Sequence, residues 1–394
     1  TDIINSWQFD DILIFSQETN DAELTSIDVP TNLGNGYNEV TFTVRNLGTS
    51  TIESFEAKYQ VEGSETFISE TFETNIETFG TEQFTFKKTN FFSEGNITLN
   101  VEVTSVNGED DDFNDNNINS KDIFVGMSTV QKISMIEHFS SSTCFPCVFT
   151  NKSMDTLTQN NAGKYTYVKY PMNGPAPGDP YYYAECGTRR SYYNVNNVPT
   201  LFLDGKNSAD LIPQEKMDIS YNTPSFFDIR GSFTLNDNTI TVIADFMPYL
   251  SIRNLKAYVT VNEKTTTKNI GNNGETEFHH ILMKMLGSAS GTKLDFEAGT
   301  YQRLEFSYDM SSTNVEELDD LEVAIWIQNP TTKEILNSRF AYEYTEHVYP
   351  AQNVNITITG NDPKAVVSWE APSQGTPDGY NIIIDGKLIK ENIN

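Results

Sequence analysis

The dominant pattern along this chain is period-two alternation of apolar and polar positions. Ala22–Ile27, Asn38–Val44, Phe55–Val61, Gln83–Phe86 and Ile97–Val103 each place apolar side chains at alternate positions, and Gly and Asn turns separate them. Short alternating runs divided by turn residues predict an antiparallel β-sandwich over residues 21–125. The pattern returns at Ser225–Arg230, Thr239–Phe246, Leu255–Val261, Gln302–Tyr308 and Leu321–Gln328, and predicts a second β-sandwich over 214–346.

Between the two sandwiches the period changes. Ile133–Phe139 is an apolar run of strand length, Phe149–Leu157 continues a helix-compatible segment, and Tyr165–Tyr170 reads as the next strand. Pro171–Pro180 carries too many prolines and glycines for regular structure and reads as an irregular insertion. A helix is expected from about Tyr181 to Tyr193, with Tyr182, Cys186, Arg189 and Tyr193 at helical spacing as a packing stripe. Asn197–Gly205 then reads as loop, proline, strand and tight turn. Residues 126–213 are therefore expected to be an α/β unit inside a multidomain, mostly β chain.

The ends read as pieces of other modules. Within residues 1–20, Trp7–Phe15 alternates like a single strand, and residues 347–394 carry strand patterns at Asn353–Thr357, Ala365–Pro372 and Gly379–Lys387 with an Asp385-Gly386 hairpin turn. The first run reads either as a leading strand of the next domain or as the last strand of a preceding one; the second of these, with the short C-terminal set, makes the chain part of a longer polypeptide.

Charge narrows the partners. The net charge is −29, and residues 1–125 alone hold 24 acidic and 5 basic side chains. Nucleic acid and anionic membrane surfaces are excluded as expected partners. No window approaches the roughly 20 apolar residues that cross a bilayer, so no membrane insertion is expected. The first residues have neither a basic nor an apolar leader region, so no signal peptide is present in them.

The candidate chemistry lies in Cys144-Phe145-Pro146-Cys147, a CxxC placed between the apolar strand and the helix. Free N–H groups and the dipole of a helix N-terminus stabilise a thiolate, so Cys144 is the candidate nucleophile and Cys147 the resolving thiol. Cys186 is read as a buried inert thiol. Zinc is not expected, because the four histidines are scattered and there is no second CxxC. Calcium binding by the acidic run Glu109–Asp115 lacks the ligand spacing of a calcium loop, and a solvated hairpin tip is the preferred reading. Neighbouring residues of a strand face opposite ways, so the His279-His280 pair is read as structural, with one imidazole exposed. No hydrolase or phosphate-binding motif is present, and no cofactor is expected.

Val198-Pro199-Thr200 entering a strand after a CxxC helix resembles the cis-proline loop of thioredoxin-like proteins. With Gly178–Tyr181, Arg190–Val195 and Phe278–Gly287 added, the chain resembles the Omp28-related branch of thioredoxin-like surface proteins of Bacteroidetes, departing from it at Lys284, where arginine is usual. This resemblance implies a thioredoxin-like domain over 126–213, with Pro199 packed on the Cys144–Cys147 disulfide and backbone groups of Val198 and Thr200 free to pair with substrate. The family's buried acid lies six residues before the first cysteine. Here that place holds His138, preceded by Glu137, and His138 becomes the candidate proton relay. Thr143 stands where a tryptophan usually precedes the first cysteine, and Phe145-Pro146 replaces the thioredoxin Gly-Pro pair. Val44–Gly48 and Asn116-Asn117 resemble a CARDB-type Ig-like module over 21–125. Residues 1–20 resemble the tail strand of a jelly-roll or MAM-like domain, and 347–394 a partial fibronectin type III module whose tryptophan is Trp369.

Two functional readings stand. In one, the protein is a secreted or surface-held thiol–disulfide oxidoreductase acting on extracellular protein thiols and disulfides. In the other, it is a non-enzymatic adhesin or scaffold whose CxxC is a structural disulfide. Both imply an extracellular or outer-surface location, with the type IX route as the export path suggested by the resemblance.

Overall fold

The computed structural model describes residues 17–343, 351–359, 364–373, 376–377, 379–384 and 387–393. The Trp7–Phe15 strand pattern and the Asp385-Gly386 turn lie outside them.

Ten strands build the first unit: β1 (Ala22–Ile27), β2 (Asn32–Gly34), β3 (Gly36–Asn38), β4 (Thr41–Asn46), β5 (Ile52–Val61), β6 (Ile68–Ile76), β7 (Thr81–Thr85), β8 (Asn90–Phe92), β9 (Gly95–Val106) and β10 (Ile118–Gly126). A three-stranded sheet, β1-β4-β7, and a five-stranded sheet, β2-β10-β9-β5-β6, share one core. Its centre is aromatic: the Phe42 ring lies 5.0 to 6.2 Å from those of Phe55, Phe72, Phe84 and Phe86. Such pairs contribute about 0.5–1.5 kcal/mol each beyond their burial. The acidic run differs from a fully solvated tip. Asp111 is buried and accepts N–H bonds from Ala22 and Phe113, which ties the run to β1, and burial raises its pKa.

The second unit follows as β11 (Ser134–Ser140), α1 (Phe145–Asn160), β12 (Tyr165–Pro171), α2 (Ala184–Tyr193), β13 (Thr200–Leu203), β14 (Lys206–Asn207) and α3 (Gln214–Asn222). β11 pairs in parallel with β12 on one side and antiparallel with β13 on the other, and β14 closes a hairpin on β13. α2 starts later than its stripe suggests. Asp179 accepts the N–H of Tyr181, and this turn occupies the residues before Ala184.

The third unit contains β15 (Phe227–Asn236), β16 (Thr239–Pro248), β17 (Ile252–Thr266), β18 (Phe278–Leu286), β19 (Thr292–Phe296), β20 (Gln302–Asp309), β21 (Leu321–Gln328), β22 (Ile335–Phe340) and β23 (Tyr342–Glu343). Its strands do not form a separate sandwich. One sheet runs β14-β13-β11-β12-β18-β17-β21-β22, with β19 also on β17, and the junction is the parallel pairing of Lys169 on β12 with Ile281 on β18. One face of its far half packs Val259, Val261, Met283 and Ile325 against the four-stranded sheet β20-β16-β15-β23. The other face presents Tyr258, Leu282, Met285 and Trp326 to Phe139, Tyr170, Cys186 and Tyr193 of the second unit.

The last described strands, β24 (Gln352–Thr359), β25 (Lys364–Glu370), β26 (Tyr380–Ile384) and β27 (Lys387–Ile393), form two antiparallel pairs. Trp369 is half-buried against Tyr380, at 5.2 Å between ring centroids. The chain is thus a multidomain, mostly β protein, with three α-helices among the described residues.

Candidate functional site

Cys144 ends the loop from β11 and is the N-cap of α1, whose second residue is Pro146. Proline suits the first turn because it lacks an N–H that the helix would leave unbonded. Cys144 and Cys147 form a disulfide. The Cys147 N–H donates to Cys144 Sγ at 3.2 Å, so after reduction the Cys144 sulfur sits where a helix N-terminus supplies both a donor and its dipole. Cys144 is 1% exposed and Cys147 is fully buried.

The proline loop lies against this pair. Val198-Pro199 is a cis peptide, and the Val198 carbonyl oxygen is 3.7 Å from Cys144 Sγ. Thr200 is buried and donates its hydroxyl to Asn197 O, while Val198 and Pro199 are half-buried. Cys144, Pro199, Val198 and Thr200 are therefore brought together, with Cys147 behind them. A groove of about 440 Å³ reaches Cys144, lined by Pro146, Met172, Gly174, Pro175, Arg190, Asn196, Asn197 and Val198. A second hollow of about 670 Å³ lies beyond it, against Phe149, Pro199 and Asp210. Phe145 and Phe149, one helical turn apart on α1, are 66% and 63% exposed beside them.

Two segments strap the CxxC loop. The insertion after β12 does so through Asp179, whose carboxylate accepts the N–H of Ser142 at 2.8 Å, and through Pro175 O, which accepts the Thr143 hydroxyl. The β17–β18 connection does so from the third unit. The Asn273 N–H donates to Ser142 O and its amide donates to Cys144 O at 3.3 Å, while Glu275 accepts from both Asn273 and Asn151 of α1. Gly271 permits this approach, since a Cβ there would stand 2.3 Å from Ser142 O. Nothing local to the CxxC announces this contact, because the residues are about 130 positions apart in the chain.

The two candidates for a buried proton group occupy different faces of β11. Glu137 lies on the α2 side, where Arg189 donates to it at 2.6 and 2.8 Å and the hydroxyls of Tyr170 and Tyr193 also donate. The Arg189 guanidinium is 4.5 Å from the Tyr258 ring and 4.7 Å from those of Tyr192 and Tyr193. Arg189 thus satisfies the carboxylate inside an aromatic cage, a role the helical stripe alone did not reveal. His138 lies on the α1 side, fully buried, with Nδ1 2.7 Å from the Tyr167 hydroxyl and Nε2 without a partner. Burial and then the neighbouring Lys169 ammonium hold its pKa well below the usual imidazole range, so the ring is neutral. Lys169 is itself buried, which lowers its pKa against the pull of Asp155, Glu275 and Asp179.

The remaining flagged residues are structural in their contacts. Burial pushes the Cys186 thiol up to about 12. His280 departs from simple alternation: its φ is 59°, both imidazoles are half-buried, and His280 bonds Glu322 at 2.7 Å while stacking on Tyr167. Lys284 pairs with Glu185 of α2. Among the described residues no group of three or more His, Cys, Asp or Glu side chains is placed to hold a metal ion. No helix among them is long and apolar enough to cross a membrane.

No protein-family model matches the chain, and no curated protein matches it. Similar solved structures include HBP35 of Porphyromonas gingivalis, at 15% identity over 66% of this chain and 91% of that one, with a TM-score of 0.45. Protein AGR_C_4864 from Agrobacterium tumefaciens is 12% identical over 56% of this chain and 99% of that one, with a TM-score of 0.41. The CARDB domain of the PF1109 protein from Pyrococcus furiosus is 22% identical over 30% of this chain and 99% of its own length, with a TM-score of 0.24. Similarity of this extent assigns neither a family nor an activity to the chain.

Proposed function

We propose that this is an extracellular or outer-surface multidomain protein whose residues 126–213 form a thioredoxin-like unit for thiol–disulfide exchange with protein substrates. The strand order β12-β11-β13-β14 and the placement of the CxxC between β11 and α1 support the thioredoxin-like reading. The further division into a CARDB-like module at 21–125, an Omp28-like region at 214–346 and a partial fibronectin type III module at 347–394 belongs to the same proposal. The observation that carries it is the convergence on Cys144 Sγ of a helix N-terminal N–H, the Val198 carbonyl and a groove open to solvent.

In the reducing direction the Cys144 thiolate attacks one sulfur of a substrate disulfide. That S–S bond breaks, and the departing substrate sulfur takes the electron pair and a proton. The Cys147 thiolate then attacks Cys144 Sγ in the mixed disulfide, the second substrate thiol leaves, and two electrons have passed from protein to substrate. Substrate oxidation is the reverse sequence. Val198 and Thr200 flank Pro199 where backbone groups meet an extended segment, while His138, whose imidazole burial keeps neutral, is too weak a base for the proton relay expected of it.

A second reading has its own support. Cys144 at 1% exposure and Cys147 at 0% are as shielded as a structural bridge in a scaffold or adhesin. A Cys147→Ser variant separates the two. Exchange traps a mixed disulfide between Cys144 and an added protein disulfide, and a structural bridge traps none.

A further inference from the structure

The groove that reaches Cys144 is lined by one charged side chain, Arg190. Arg190 lies in the last turn of α2 and is half-buried. Its Nε donates to Val195 O at 2.9 Å, Nη2 to Asn196 O at 3.2 Å and Nη1 to Asn173 Oδ1 at 3.3 Å. The guanidinium is thereby held between the insertion after β12 and the loop before Pro199, the two walls of the groove. These bonds use three of its five N–H groups and leave two for a ligand. The nearest acidic side chain of the insertion does not neutralise it, because Asp179 faces inward to the N–H groups of Ser142 and Tyr181.

From this geometry we infer that Arg190 gives the exchange site a preference for acidic segments: the substrate is an extended peptide carrying an Asp or Glu carboxylate next to its reactive cysteine. The inference rests on the exchange reading above and names its substrate class. A planar guanidinium with an unused N–H on each terminal nitrogen suits a carboxylate better than any other common side chain. The net charge of −29 opposes the approach of acidic peptides to the chain as a whole, so a preference for them reports the local guanidinium. Apolar flanks come from the Pro146, Met172 and Val198 walls, with Phe145 and Phe149 outside them.

The test uses the full chain as the Cys147→Ser variant, with Cys144 the reactive thiol and Cys186 buried. It is mixed with peptides whose single cysteine is activated as a 2-pyridyl disulfide. The Cys144 thiolate attacks the peptide sulfur, the peptide–pyridyl S–S bond breaks, and pyridine-2-thione leaves with the electron pair and is read by absorbance. Three peptides differ only in having Asp, Ser or Lys on both sides of the cysteine. Roughly five- to tenfold faster reaction of the Asp peptide than of the Lys peptide is expected at low salt, shrinking towards unity at high salt. Adding Arg190→Gln brings the ratio of the Asp to the Lys peptide rate to unity, and Arg190→Lys keeps part of the preference. Equal rates for the three peptides, or a preference that survives Arg190→Gln, overturns the inference and leaves exchange intact. Absence of reaction with all three, while free cysteine pyridyl disulfide is also refused, overturns the exchange reading and the inference together.

Discussion

The side-chain amide of Asn273 donates to the backbone carbonyl of Cys144 across 3.3 Å, so a loop of the third unit holds the CxxC loop of the second. Asn273 is buried, and its amide is oriented by Glu275 at 2.6 Å. Asn273→Ala removes the side-chain bond to Cys144 O and the bond that ties it to Glu275, and keeps the backbone bond to Ser142 O. Stability is expected to fall by about 1–2 kcal/mol. Reduction of the disulfide by dithiothreitol is expected to accelerate several-fold, because the loop that shields Cys144 opens more often. Stopped-flow reduction and urea denaturation measure both, and an unchanged reduction rate refutes the clamp.

Arg189 and Glu137 form a fully buried bidentate pair. Arg189→Met leaves the Glu137 carboxylate facing only the Tyr170 and Tyr193 hydroxyls. A loss of about 3–5 kcal/mol is expected by urea denaturation. Arg189→Met with Glu137→Leu should recover much of this loss, since no charge is then left unpaired. A single variant that costs under about 1 kcal/mol would show that the pair is hydrated.

Glu263 gives the protein a pH-dependent component. Its carboxyl is buried near Glu316 and Asp320, and burial raises its pKa to about 7 in spite of N–H bonds from Glu316 and Glu317. A folded-state pKa above the unfolded value means that the folded protein binds the extra proton. The stabilisation is present below about pH 4.5 and lost as the pH rises towards 7, to a maximum of about 3 kcal/mol. Glu263→Gln should therefore flatten the fall in urea midpoint between pH 5 and 8. An identical slope in variant and wild type contradicts the assignment.

His138 acts in the opposite sense. Its depressed pKa means that the unfolded chain takes up a proton near pH 6.5 that the folded protein refuses, so stability is lost as the pH falls below that value. The imidazole carbon shifts of His138, followed by NMR from pH 8 to 5, should not titrate while the protein stays folded. A midpoint between 6 and 7 contradicts the neutral ring and restores His138 as a proton relay.

The alternating runs announced the strands where one face is buried, as in Thr41–Asn46, whereas Leu321–Gln328, which matches β21 end to end, is buried on both faces and was readable as a continuous β-forming run. β6 was illegible for the same reason: in Ile68–Ile76 only Phe72 and Ile76 are buried, so its alternation carries little apolar signal. α3 shows only two buried residues, Met217 and Ser220, and gave no helical stripe. The CxxC, the proline loop and the helix between them were readable because each is a local pattern. The sheet shared by the second and third units was not, since it depends on one parallel contact between Lys169 and Ile281 and on aromatic packing across the Arg189 cage. Asn273 and Arg190 escaped notice because asparagine and arginine in loops and helix ends are commonplace, and only the folded chain brings them to Cys144.

Exchange of electrons between Cys144–Cys147 and protein thiols is decided by the reduction potential of the pair in glutathione buffers. For an exchanging pair a value between about −270 and −120 mV is expected, accompanied by a trapped mixed disulfide in Cys147→Ser. A potential well below about −300 mV with no trapping contradicts it and makes the bridge a structural staple.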